Sequence, residues 1–204
     1  MIFIIFLFPI RDQDMSTQKE YVPVAKRWIY RLLHPKLVTL IVSKDRNGKV
    51  NVMTAAWSMP VSISPPLIVV SISSKRFTYD LIIRTKEFVV CIPPSDMVNE
   101  VHYFGTVSGR TTDKISKSRV SLKSLKSIST PFIDGSLSVL GCKLVNIVDA
   151  GDHKLIIGEV VEAYTKEEYF KKGYYDVTKT PLLYHIGGPR YTTLSGKILK
   201  PKGV

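Results

Sequence analysis

The stretch from Lys49 to Thr78, KVNVMTAAWSMPVSISPPLIVVSISSKRFT, constrains the fold more than any other part of the chain. Its first residues alternate between apolar and polar, and Leu67–Ile72 is a continuous apolar run, so both are predicted to be strands. Three prolines in Ser58–Pro66 exclude a regular helix or a central strand there, which predicts a loop. Hydroxyls and cations then lead into a helix predicted over Thr78–Arg84. The stretch indicates a β-rich fold in which polar groups gather at one helix N-terminus.

The rest of the chain extends this pattern of strands and turns. Asn47-Gly48 stands between two apolar runs, which predicts a hairpin because both turn positions accept positive φ. A short helix is predicted over Met97–Phe104, with Ser95 and Asp96 as its caps. Further strands are predicted at Lys36–Ser43, Lys49–Trp57, Glu87–Ile92, Leu137–Val148 and Lys154–Tyr164, with two short extended pieces in Pro181–Ser195. Many antiparallel strands with few helices indicate a mainly β barrel or sandwich with helical insertions.

Composition bounds the function only loosely. The 204 residues are enough for one domain, and a formal net charge of +12 attracts nucleic acid, anionic membranes or phosphorylated cofactors. Cys91 and Cys142 each sit in an apolar strand-like run, which predicts buried, reduced thiols. No His or Cys pair has the spacing of metal ligands, so no metal site is predicted.

Residues 1–20 are set apart as an N-terminal extension, and residues 21–204 as the functional domain. The run MIFIIFLFPI is too short to span a bilayer, and it lacks the basic start and cleavage site of a signal peptide. Two interpretations remain open: the native chain starts at Met15, or the run is an apolar arm that packs on a partner subunit. Both predict a cytoplasmic protein without a membrane span.

Nucleotide-binding glycine motifs such as GxGxxG and GxxxxGK[ST] are absent from the sequence. The segment Ser71–Thr78 offers another means of holding a phosphate, because it follows a buried strand and opens a helix. A helix N-terminus presents unpaired N–H groups, Arg76 can bind a phosphate through two hydrogen bonds, and Ser73 and Thr78 supply hydroxyls. The alternative is an ordinary helix cap beside solvated cations.

Three more pieces could complete a ligand site. Thr54-Ala55-Ala56-Trp57 would let a planar ligand lie against the backbone, although small residues also pack inside sheets. Within the polar segment Gly105–Lys126, predicted to be a long functional loop, Ser108-Gly109-Arg110 and Lys114 could grip an anion, with Asp113 orienting a cation. The alternative is a solvated basic loop. His153 lies in a strand-to-strand turn, where glycine and aspartate are expected in any case.

Together these pieces resemble the flavin reductase-like family, which has the FMN-binding split barrel, and especially its flavoredoxin branch. The matching stretches occur in the family's order, from about Leu37 to Gly196: NVMTAAW, SPPLIVVSIS with KRFTYDLI, EFVVCIP, GTVSGRTTDKIS, GDHKLIIGEVV and PLLYHIGGPRYTTLSG. The resemblance implies a six-stranded antiparallel Greek-key barrel with short helices. It also implies a homodimer with its FMN sites near the subunit interface. The apolar N-terminus and the strongly basic segment Ser116–Ser129 depart from the family pattern.

The resemblance also assigns roles to residues. It implies His153 near the flavin face that meets a nicotinamide, as the catalytic residue. It implies cofactor contacts to the flavin ring, the ribityl chain or the phosphate from Thr54, Ala55, Ala56, Trp57, Ser71, Ile72, Ser73, Arg76, Thr78, Ser108, Gly109, Arg110 and Lys114.

The expected activity is therefore an FMN-dependent oxidoreductase that passes electrons from NADH or NADPH to free flavin, a partner oxygenase, ferric iron or another protein. One alternative is an FMN-binding electron carrier that a protein donor reduces, with little NAD(P)H activity. Another is a nucleic-acid-binding barrel using Arg110–Lys126. That loop contains no aromatic residue to stack on a base, which argues against nucleic acid as a partner.

Overall fold

The computed structural model describes residues 21–199 and residue 201. The predicted N-terminal extension, residues 1–20, lies outside the described residues. The chain forms two compact units, one ending at Leu32 and the other beginning at Leu33. A 3-10 helix covers Lys26–Leu33, and in it the guanidinium carbons of Arg27 and Arg31 lie 5.6 and 4.9 Å from the ring centroid of Trp28. Within residues 21–199, no helix has both the length and the apolar character that a membrane span requires.

The second unit is built mainly from strands. Its two α-helices are α1, Phe77–Thr85, and α2, Val98–Thr106, and a 3-10 turn, Ser95–Met97, precedes α2. Its strands are β1 (Lys36–Leu37), β2 (Thr39–Lys44), β3 (Val50–Ala55), β4 (Ser58–Ser62), β5 (Leu67–Ile72), β6 (Glu87–Ile92), β7 (Leu122–Lys123), β8 (Phe132–Ile133), β9 (Ser138–Ala150), β10 (His153–Thr165), β11 (Phe170–Lys171), β12 (Tyr174–Tyr175), β13 (Tyr184–Gly187) and β14 (Arg190–Thr192).

Seven of these strands form one antiparallel sheet in the order β3-β2-β6-β9-β10-β5-β4. Its two edge strands, β3 and β4, are separated along the chain only by Ala56 and Trp57. A flat sheet of this kind would hold its edges about 29 Å apart, since neighbouring strands are spaced by about 4.8 Å. The step from Ala55 to Ser58 spans at most about 11 Å. The sheet must therefore curl until β3 and β4 approach each other where the chain connects them, which confirms the predicted split barrel.

Two local predictions are corrected by the sheet. The Pro-rich stretch predicted as a loop contains β4, a seventh strand beside the six expected. Pro60 is tolerated there because β4 is an edge strand. The β2–β3 hairpin exists, but Gly48 alone in its turn has positive φ (89°), not both turn residues. The turn consists of residues 45–49, and the N–H groups of Asn47 and Lys49 donate to the carboxylate of Asp45.

The sheet is buried on both faces, as β2 shows. Leu40 and Val42 point into one apolar cluster, together with Val101 and Phe104 of α2. Ile41 points into the other, the barrel interior, with residues such as Phe88 and Ile156. Cys91 and Cys142 are both buried and free, as predicted.

The predicted long loop is replaced by three structures. Gly105 and Thr106 end α2, residues 107–114 adjoin the candidate site, and residues 115–133, here called the cover segment, pack on the sheet through Leu125 and Ile128. Glu162 accepts hydrogen bonds from the backbone N–H groups of Lys126 and Ser127. The predicted caps of α2 are wrong, because its N-cap residue is Met97 and no side chain caps it.

Candidate functional site

One pocket gathers residues from four parts of the second unit: β3, the start of α1, the end of α2 and residues 107–114. Arg76, Thr78, Ser108, Gly109 and Lys114 were all assigned to the cofactor from the sequence, and the fold brings them together here. The pocket is also lined by Asn51, Met53, Lys75, Phe77, Phe104, Gly105 and Val107. Because β3 and α1 are adjacent only after folding, linear spacing does not reveal Asn51 and Met53 as pocket residues.

Asn51 is the central polar residue of the pocket. It is buried, and its Nδ2 donates a hydrogen bond of 2.9 Å to Oγ1 of Thr78, which is also buried. Its Oδ1 is buried without a hydrogen-bond partner among the described residues. Since Thr78 accepts from Asn51, its own hydroxyl proton is directed to another acceptor. Asn51 lies between Val50 and Val52 in the strand. A polar residue at an inward strand position is the sequence signal that could have identified it as a site residue.

The start of α1 offers hydrogen-bond donors suited to an anion and is here called the anion seat. Arg76 is the N-cap residue, and no side chain caps the helix. The predicted hydroxyl of Ser73 instead accepts a long 3.5 Å hydrogen bond from the N–H of Lys75, so the alternative of an ordinary helix cap does not hold. The N–H groups of the first helical turn are therefore not capped by a side chain. They and the positive end of the helix dipole lie at the pocket.

Two cations at the anion seat, Arg76 and Lys114, have no carboxylate partner among the described residues. Lys114 is buried, and its Nζ donates a 3.0 Å hydrogen bond to the carbonyl of Phe104. Burial, and secondly the nearby charge of Arg76, lower the pKa of Lys114 to about 8. Among the salt bridges of the described residues, none involves Arg76 or Lys114. The pocket thus carries positive charge that an anion would balance.

Arg110 differs from these two cations. Its guanidinium pairs with the carboxylate of Asp80 on α1 and lies 5.3 Å from the ring centroid of Phe77. Through this ion pair Arg110 holds residues 107–114 against α1, and Asp80 compensates its positive charge. The expected orienting role of Asp113 is not seen, because its carboxylate accepts the N–H of Ser116 at 3.2 Å.

A second group lies where the β3–β4 connection meets the β9–β10 turn. The rings of Trp57 and His153 have centroids 5.0 Å apart and an interplanar angle of 37°. Nδ1 of His153 is 2.8 Å from Oδ1 of Asp152. This hydrogen bond, with lesser help from the charge of Lys75, lowers the pKa of Asp152. The pairing fixes the imidazole by one nitrogen and leaves Nε2 for another partner.

The remaining predicted residues occupy the strands between the two groups. The hydroxyl of Thr54 donates to the carbonyl of Val101, so this side chain holds α2. Ala55 is buried, Ala56 is half-buried beside Trp57, and Ile72 is buried in the barrel interior. Ser71 is half-buried on β5 opposite Leu155, two residues after the start of β10.

A metal centre has no support in this region. Among residues 21–199 and 201, no group of three or more His, Cys, Asp or Glu side chains is arranged to hold a metal ion.

Comparison with known proteins agrees with this geometry. Residues 30–193 match the family described as flavin reductase like domain, and the chain belongs to that family. An uncharacterized protein from Archaeoglobus fulgidus is 36% identical over 169 residues, which cover 83% of this chain and 94% of the relative.

Solved structures share the fold. The FMN-binding protein from Thermus thermophilus with bound 1-cyclohex-2-enone superimposes with a TM-score of 0.77 at 26% identity, covering 92% of this chain and 100% of that one. Flavoredoxin from Methanosarcina acetivorans gives a TM-score of 0.77 at 27% identity, covering 90% and 96%. The fold and the family are those of FMN-binding split-barrel proteins.

Proposed function

We propose that this chain is a cytoplasmic FMN-binding oxidoreductase that passes electrons from NADH or NADPH to an acceptor such as free flavin, a partner oxygenase or ferric iron. The observation that carries the proposal is the uncapped N-terminus of α1 with the unpaired cations Arg76 and Lys114, set in a flavin reductase-like barrel. Two free, buried cysteines suit a reducing compartment.

The residues present fit the phosphate end of FMN. Arg76, the N–H groups at the start of α1 and the hydroxyl of Thr78 are donors of the kind that hold phosphate. Lys114 adds a buried positive charge and is itself positioned by the carbonyl of Phe104. Gly109 lets residues 107–114 approach Asn51 closely. Arg110 holds the same segment through Asp80.

Bound FMN would supply the ring that accepts a hydride, and the protein supplies binding and orientation. Trp57 and His153 would border that ring from the β3–β4 connection and the β9–β10 turn. His153, held at Nδ1 by Asp152, would orient a nicotinamide through its second nitrogen. No proton transfer by a side chain is required for the hydride step.

A homodimer is part of the proposal, and β4 supports it. Among the described residues β4 pairs only with β5, so its other edge is open. Met59 and Val61 lie on β4 and Trp57 directly precedes it, and the three side chains are 61%, 45% and 36% exposed. A second copy covering these side chains would bury apolar surface next to His153. Met59→Glu should give monomers in light scattering, whereas Tyr174→Glu, another exposed position, should not. A dimer that persists in Met59→Glu would exclude this surface.

The central test is the visible absorption spectrum of the purified protein, before and after anaerobic addition of NADH and then NADPH. A flavin spectrum that bleaches with either nucleotide supports both cofactor and reaction. A flavin spectrum that persists with both favours the second candidate, an electron carrier reduced by a protein, which the similarity to flavoredoxin supports. A colourless protein that also fails to bind added FMN refutes both.

A further inference from the structure

A second cationic cavity lies between the β2–β3 hairpin and the last turn of α1. It has a volume of about 400 Å³ and is lined by Asp45, Arg46, Asn47 and Arg84. Arg46 stands in the hairpin turn, and Arg84 is the basic residue in the last turn of α1. Two guanidinium groups from different elements thus border one small cavity.

Among the described residues, no carboxylate forms an ion pair with these arginines. No salt bridge among the described residues includes Arg46 or Arg84. The single carboxylate of the cavity, Asp45, already accepts the N–H groups of Asn47 and Lys49 at 2.9 Å each. Lys44, Lys49 and Lys86 flank the lining residues in the sequence and raise the local positive charge. Like charges around one cavity attract an anion.

The guanidinium groups, not the helix, must provide that attraction. A helix C-terminus carries partial negative charge, which repels anions. The cavity therefore differs in kind from the seat at the start of α1. Its anion must be one that two planar, multidentate donors recognise, and a phosphate monoester is the usual ligand of such pairs.

The cavity and the FMN phosphate seat lie along one helix. Arg84 follows Phe77 by seven residues, which places the last turn about 10 Å along α1 from its first residue. A dinucleotide stacked on the flavin and running back past its phosphate would bring the adenosine end toward Arg46 and Arg84. In other dinucleotide-binding proteins, an arginine near the adenosine ribose receives the 2′-phosphate that distinguishes NADPH from NADH.

We propose that Arg46 and Arg84 form the subsite for the adenosine 2′-phosphate of NADPH, so that this chain prefers NADPH over NADH. The inference rests on the proposed nicotinamide-dependent function. It adds a donor preference and two residues outside the FMN pocket. Neither arginine contacts the reacting atoms, so their removal should act on binding of the nucleotide and not on hydride transfer.

Direct binding tests the subsite without turnover. FMN-loaded protein is titrated calorimetrically with 2′,5′-ADP, 5′-AMP and inorganic phosphate. We expect 2′,5′-ADP to bind at least tenfold more tightly than 5′-AMP, and to lose about tenfold in affinity in Arg46→Ala or Arg84→Ala. Arg190→Ala removes an exposed arginine of β14 and should change nothing. Equal affinities for the two nucleotides, unchanged binding in both variants, or phosphate binding as tightly as 2′,5′-ADP would each overturn the proposal.

Steady-state kinetics with NADPH and NADH provide a second test. Arg46→Ala and Arg84→Ala should lower kcat/KM for NADPH about tenfold through KM and leave kcat/KM for NADH unchanged. Equal losses with both donors would mean that the arginines act on the fold and not on the 2′-phosphate. Failure of both donors in the wild-type protein would refute the proposed function, while the calorimetric result would still decide the anion subsite.

Discussion

Asn51 and Gly109 share a space that admits no additional carbon atom: a Cβ on residue 109 would lie 2.0 Å from Oδ1 of Asn51. The backbone φ of Gly109 is not positive, so the glycine is required by space and not by backbone conformation. This contact links β3 to residues 107–114 and fixes one wall of the pocket at the start of α1.

Gly109→Ala should therefore displace residues 107–114 and weaken FMN binding at least tenfold, while the barrel remains folded. Asn51→Ala in the same chain removes the overlapping atoms, so the double variant should bind more tightly than the sum of the two single effects predicts. Equilibrium titration of flavin fluorescence measures the coupling. Strictly additive effects would show that the two residues do not interact, and Thr111→Ala serves as a nearby control.

Arg76→Ala combined with Thr78→Ala should reduce FMN affinity by about a hundredfold or more, because hydrogen bonds to charged groups contribute about 1.5–3 kcal/mol each. Circular dichroism should remain that of the folded protein. Arg190→Ala is the matched control, since Arg190 is an exposed arginine of β14 and does not line the pocket. If FMN affinity is unchanged in the double variant, the phosphate does not bind at the start of α1.

FMN affinity should fall as pH rises through 8, the region in which Lys114 loses its proton. The phosphate stays a dianion there, because its second pKa is about 6. The loss should reach about tenfold per pH unit above 8, and Lys114→Arg should flatten the profile by keeping the charge. In the unliganded protein, deprotonation of Lys114 has the opposite effect, and it favours the folded state. The unfolded state holds this proton up to about pH 10.5, so the free energy of unfolding should rise between pH 8 and 10.5.

His153→Ala should slow flavin reduction by NAD(P)H and leave FMN bound, because the ring of His153 lies beside Trp57 and not at the phosphate seat. Stopped-flow absorbance at the flavin band measures the rate. His185→Ala, on β13, is the control. Wild-type reduction kinetics in His153→Ala would place the histidine outside the reaction.

Glu162→Gln should loosen the cover segment. The carboxylate accepts a hydrogen bond from Tyr164 and from the N–H groups of Ser127 and Lys126, which lower its pKa to about 2. The stabilisation is present above the ordinary glutamate pKa of 4.5 and is lost as pH falls toward 2. Hydrogen exchange of residues 125–129 should be faster in the variant at pH 7, and the difference should shrink in acid. Equal protection at pH 7 would contradict this role.

Much of the fold can be predicted from the sequence because it depends on local patterns. Glu87–Ile92 is confirmed residue for residue as β6, since its short run of apolar and β-branched residues favours a buried strand over a helix. The ends of β9 and β10 differ from their predicted bounds by no more than two residues. The cover segment was misjudged because its inward residues, such as Leu125, are sparse among lysines and serines.

Order along the chain is enough to predict most of the long strands, the family and the proposed phosphate-binding segment Ser71–Thr78, because each depends on sequence neighbours. The availability of the cations depends on the tertiary structure. Among the described residues, Arg76 and Lys114 form no salt bridge, while Arg110 is neutralised by Asp80, thirty residues away in the chain. Asn51 likewise became a site residue only when β3 packed beside α1. Charge compensation and close contact depend on distances through space, and linear order does not contain those distances.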